Sequence, residues 1–104
     1  MRILKFIVDT DKIRKDPSCD FSDLTPGKKE LYAEFSFSPD WHGKKKVATF
    51  WKLGREFPVA LKDKNICKIP SAAVSHIEFS VSVTRMDGKE FYRTDHLLIE
   101  QKGG

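Results

Sequence analysis

Hydrophobic and polar residues alternate with a period of two along much of this chain. From Leu31 to Phe37, Leu31, Ala33, Phe35 and Phe37 fall on one face, and Tyr32, Glu34 and Ser36 on the other. From Ile77 to Thr84, Ile77, Phe79, Val81 and Val83 alternate with Glu78, Ser80 and Ser82. This is the pattern of a strand with one face buried. Shorter stretches repeat it. Leu4, Phe6 and Val8 share a face in 2–8, Ala48 and Phe50 join Lys46 in 45–52, and Phe57, Val59 and Leu61 point one way in 56–61. Pro58 lies on the opposite face of that last strand and marks it as an edge, because proline donates no ladder hydrogen bond. Segments 13–15, 66–69, 91–94 and 97–100 complete the set.

Turn residues separate these runs. Asp9 to Lys12 reverses the chain, and 16–29, with Pro17, Pro26, Gly27 and several Asp and Ser, reads as a long loop pinned by Phe21 and Leu24. Gly43, Leu53-Gly54 and Lys62 to Asn65 mark further turns. Asp87-Gly88 is expected to form a type I′ hairpin turn. Pro70 to Val74 is expected to form one short helical turn, with proline near its start. Residues 101–104 read as a frayed tail. Together these features predict an all-β chain with seven or eight strands and one short helical turn, forming a single domain over 1–104. The expected packing is an Ig-like β-sandwich of two antiparallel sheets, with a small closed barrel as the alternative. Antibody-type marks are absent: Cys19 falls in the loop, and Asn65 stands where a tyrosine corner would be.

Composition changes this picture little. The 104 residues carry 19 Lys and Arg against 15 Asp and Glu, a net charge of +4, which is compatible with an acidic partner without requiring one. No apolar run approaches the roughly 20 residues needed to span a bilayer. The opening MRILKFIVDTDK lacks the long apolar core and cleavage site of a signal peptide. Cys19 and Cys67 are therefore expected as free, inert thiols.

The candidate chemistry centres on SFSPDWHGKKKVATFW, residues 36–51. Lys44, Lys45 and Lys46 could neutralise phosphates, while Trp41, Trp51 or Tyr32 could stack on a base, and Trp51 or Tyr32 on a sugar or a protein side chain. Glu34, Asp40 and Glu56 lie close by in sequence, and strand phase assigns only Lys46 firmly to a strand, so nucleic acid is the less favoured partner. Lys12, Arg14 and Lys15 form a second basic group, which reads as a charged sheet edge that resists aggregation. His42, His76 and His96 share no metal-ligand spacing, and no Gly-rich phosphate cradle appears, so neither metal nor cofactor is expected. Asp95-His96 could be half of an acid–base pair, but it has no assignable serine or thiol nucleophile to serve, so no enzymatic activity is expected.

The string W-x-G-x-x-K-x-A-x-F at Trp41–Phe50 is followed by Phe57, Val59 and Leu61, then Cys67-Lys68-Ile69-Pro70, Phe79-Ser80-Val81-Ser82-Val83 and Arg93-Thr94. This order resembles the small Ig-like β-sandwich domains of phage and prophage tail proteins in Gram-positive hosts. It is similar to the N-terminal domains of siphophage baseplate upper proteins and to free-standing clostridial prophage forms. Thr94-Asp95-His96 departs from the threonine and asparagine that many relatives carry after the last arginine. The resemblance implies a non-enzymatic tail or baseplate module for assembly or adhesion. It would bind a virion protein or surface glycan, and self-association is a further possibility. The virion tail or the cytoplasm of the infected host would be its location. The alternative it leaves open is a small inhibitor of a bacterial defence system, acting by protein–protein binding.

Overall fold

The computed structural model describes residues 2–27, 30–62 and 64–102. Residues 28–29 of the expected loop, Asp63 of the expected turn and residues 103–104 of the expected tail lie outside them. Nine strands are present among the described residues: β1 (Arg2–Val8), β2 (Ile13–Lys15), β3 (Leu31–Phe37), β4 (Lys45–Lys52), β5 (Arg55–Leu61), β6 (Ile66–Lys68), β7 (Glu78–Asp87), β8 (Glu90–Arg93) and β9 (Leu97–Glu100). Each alternating segment read from the sequence forms its own strand, so the count exceeds the expected seven or eight, and β8 and β9 both pair with β7.

The strands form two sheets. One runs β2-β1-β3-β6, and the other runs β5-β4-β7-β8 with β9 also on β7. Both inner faces contribute to one core. Leu4, Phe6, Ala33 and Phe35 come from the four-stranded sheet, and Ala48, Phe50, Phe79, Val81 and Val83 from the five-stranded one. Phe6 and Phe35 stack at 5.4 Å, side by side on paired strands. The sandwich is therefore built by the two alternating faces read from the sequence, except at Ile77, expected inward, which lies just ahead of β7 and is exposed. Leu24 is buried and Phe21 packs against the core, so both pin the 16–27 segment as expected.

Pairing departs from the all-antiparallel expectation at one place: β1 and β3 are parallel, with Phe6 opposite Phe35. Parallel neighbours need a long connection, which the β2 excursion and the loop after it supply. Period-two patterning cannot distinguish the two orientations, because side-chain faces are the same in both.

Local turns hold three further differences. The only helical turn among the described residues is a 3-10 turn at Pro39–Trp41. Pro70–Val74 makes hydrogen-bonded turns, Ala73 N–H to the Pro70 carbonyl and Val74 N–H to Ser71, without becoming a helix. At the β7–β8 hairpin only Gly88 takes positive φ (63°), the pattern of a type II′ turn, since type I′ needs two such residues. The β4–β5 hairpin does have two, Leu53 at 49° and Gly54 at 81°. The tail is held at its start. The Gln101 amide donates to the Val74 and His76 carbonyls at 2.9 and 2.7 Å. Lys102 N–H donates to the Leu24 carbonyl. Among the described residues no helix is long and apolar enough to cross a membrane.

Candidate functional site

Strand β4 divides the candidate residues. Its alternation buries Ala48 and Phe50 and turns Lys45, Val47, Thr49 and Trp51 to the outer face of the five-stranded sheet. There the Trp51 indole N–H donates to the Ser82 hydroxyl at 3.1 Å, which holds the ring down over β7. His96 packs against the indole with centroids 4.6 Å apart, and the Arg93 guanidinium lies 5.7 Å from it.

The break between β8 and β9 brings His96 to this place. Thr94 Oγ1 accepts the Val83 N–H at 3.0 Å, so a side chain replaces the carbonyl that a continuous strand would offer. Asp95 then turns toward the other sheet. Its N–H donates to the Asp11 carbonyl, and its carboxylate accepts the Ile13 N–H at 3.0 Å. Asp95 is thus spent on tying the two sheets together, and His96 on Trp51. They do not form the acid–base half-pair that their adjacency suggested.

The three lysines go three ways. Lys44 pairs with Asp87 at 2.9 Å, and this contact holds the Asp87 carboxyl below its usual range. Lys45 is exposed on the outer face, opposite Met86. Lys46 shares the inner parity with Ala48 and turns over the Phe37 ring at 5.1 Å, its ammonium donating to the Lys44 carbonyl. They do line one open concavity of about 390 Å³, joined by His42 and by Lys62 from the β5–β6 connection. Sequence reasoning missed Lys62. Only the pairing of Lys46 with Leu61 brings that connection beside the lysine turn, and no local pattern announces it.

Tyr32 is placed elsewhere. It lies on β3, opposite Ile3 and Lys68, on the outer face of the other sheet. Tyr32 and Trp51 therefore face opposite sides of the sandwich and cannot grip one ligand together. Lys12 sits in the β1–β2 turn, where its carbonyl accepts the Asp9 N–H. Arg14 reaches Asp9 at 3.6 Å, and Lys15 lies over Phe21 at 5.2 Å. Both flank the β2 edge, where charge discourages sheet-to-sheet pairing. Among the described residues no cluster of three or more His, Cys, Asp or Glu is placed to hold a metal. The free thiols differ. Cys19 is half-buried and accepts the Lys5 N–H, while burial pushes the Cys67 thiol up to about 11.

A second cluster of similar composition was not foreseen. At the 3-10 turn, Trp41 is fully buried, and its indole donates to the Asp9 carbonyl at 2.8 Å. Arg85 lies 5.2 Å from the Trp41 ring and 4.8 Å from Tyr92, with a 2.9 Å contact to Asp40. Hydrogen bonds from Ser38 and then Arg85 hold the Asp40 carboxyl down at about 2. Arg85 is the polar continuation of the inward positions Phe79, Val81 and Val83. A reading that ends the strand at Thr84 leaves it out.

No protein-family model matches the chain, and neither does any curated protein. Among solved structures it is similar to the N-terminal domain of phage TP901-1 ORF48, with a TM-score of 0.53 and 11% identity, over 98% of this chain and 100% of that one. Over that span the likeness is one of fold, and this chain's all-β sandwich is shared with that phage domain.

Proposed function

We propose that this chain is a non-enzymatic binding module of a phage tail or baseplate, which attaches by protein–protein contact to another virion component. The observation that carries this reading is the end-to-end likeness in fold to a phage domain, 98% of one chain against 100% of the other. The arrangement of chemistry supports it. Trp51, His96, Arg93 and the lysines of the 44–46 run lie on outer faces, edges and an open concavity, which suits contact with a macromolecule better than enclosure of a small substrate. The outer face around Trp51, His96 and Arg93 is the surface we assign to the partner. Indole, imidazole and guanidinium side by side are the residue types that dominate protein interfaces.

The test is to tag the chain in a host during phage production and purify virions through a gradient. Co-sedimentation with tails, with the chain cross-linked to a tail protein, is the expected result. A chain found only in the soluble host fraction would overturn the reading. Plaque rescue on defence-carrying cells in that event would favour the inhibitor of host defence. A mobility shift with nucleic acid that weakens steeply with salt would favour the lysine concavity instead.

A further inference from the structure

The outer edge of β8 is where this chain pairs with a second copy of itself, we propose, joining two five-stranded sheets across a two-fold axis at Tyr92. This goes beyond the tail reading and does not depend on it.

The edges of the two sheets are not equivalent. β2 and β6 are three residues long, and β2 carries Arg14 and Lys15. β5 carries Pro58, which has no N–H to offer. Beside β9 the chain is engaged across the sandwich, through Asp95 to Asp11 and Lys102 to Leu24. β8 pairs with β7 alone among the described residues, and its four residues are all exposed, Phe91 at 68%. It has no proline, and its two charges, Glu90 and Arg93, are of opposite sign, so an antiparallel second copy can avoid like-charge contacts. An edge of that kind is open to another strand.

Backbone phase says which groups are open. Thr94 N–H points to Val83 on β7, and Asp95 N–H points away, to Asp11. Alternation along the strand then directs Glu90 and Tyr92 toward β7, and directs the N–H and C=O of Phe91 and Arg93 outward.

Symmetry and charge select the register. A two-fold axis normal to a sheet keeps each side chain on its own face, so the axis must pass through a residue of the strand rather than between two. An axis at Glu90 or at Arg93 sets that charge against its own copy. An axis at Phe91 sets Lys89 against Arg93. An axis at Tyr92 sets Phe91 against Arg93 twice and Glu90 against Thr94, with no like charges opposed within β8. Like charges directly opposite are destabilising, and a guanidinium over an aromatic ring is favourable. The same axis makes Phe91 and Arg93 the hydrogen-bonded pairs, which uses all the outward backbone groups of the edge.

The experiment is sedimentation equilibrium of the full chain from about 10 μM to about 1 mM. A concentration-dependent dimer is expected. Phe91→Lys sets a cation against Arg93 of the second copy, and should weaken dimerisation at least about tenfold. Adding Arg93→Glu to it restores an opposite-charge pair and should restore the dimer. Thermal unfolding followed by circular dichroism checks that both variants remain folded, as the exposure of Phe91 leads us to expect. A wild-type chain that stays monomeric overturns the proposal. So does a dimer indifferent to Phe91→Lys, or one that the second substitution does not rescue.

Discussion

The two tryptophans sit in similar company and serve different ends. Trp41 has Arg85 and Tyr92 beside it, and Trp51 has Arg93 and His96. Each indole N–H has an acceptor. The difference is depth. Trp41 is fully buried, and Arg85 is 12% exposed and held by Asp40, while Trp51 is half-buried and Arg93 exposed on an outer face. A guanidinium beside an indole is therefore not in itself a sign of a binding site. At one end of the sandwich it locks a 3-10 turn to the end of β7, and on the sheet face it is open to solvent.

Substitutions should separate the two clusters. Trp41→Ala removes the largest fully buried side chain, and should cost about 3–5 kcal/mol. That is a large part of the stability of a domain this size, so the melting temperature should drop steeply. Arg85→Ala should cost about 2 kcal/mol, from a charged hydrogen bond and two ring contacts. Trp51→Ala, from a half-buried position, should cost about 1 kcal/mol and, on the proposed function, abolish co-sedimentation with tails. Arg93→Ala should stay within about 0.5 kcal/mol of wild type. An Arg93 effect as large as that of Arg85 would erase the distinction.

Acid should act on the first cluster. The Asp40 pKa lies at about 2, below the ordinary 3.8, because its ionised form is hydrogen-bonded by Ser38 and Arg85. A depressed carboxyl contributes stability that is fully present above its unfolded pKa and lost as pH falls through its folded one. Stability should fall between pH 3.8 and about 2, and Asp40→Asn should flatten that part of the curve in acid-unfolding experiments. The thiols provide the mildest probe. Cys19 should react with a maleimide before Cys67, whose buried thiol resists ionisation.

Much of this framework was legible in the sequence, because period-two alternation states which side chains face inward. Leu31 to Phe37, Phe79 to Val83 and the edge proline Pro58 were all readable in that way. Partners were not. Nothing in 2–8 says that β1 lies parallel to β3, and nothing in Tyr32 and Trp51 says that they face opposite sides, since that depends on which sheet each strand joins. Arg85 was hidden because a charged residue at an inward position looks like the end of a strand. Only the approach of Trp41, Tyr92 and Asp40 makes that position tolerable. The lysine run misled in the opposite direction: adjacent in sequence, its members are separated by strand phase and by a turn, while the concavity they line needs Lys62 from another connection.

The division between a built-in tryptophan and an available one is tested most directly by hydrogen exchange at the two indole N–H groups of the wild-type protein, each resolved as its own NMR signal. The Trp41 signal should exchange only through global unfolding, and the Trp51 signal orders of magnitude faster, through local opening at the sheet face. Equal protection of the two would contradict the account.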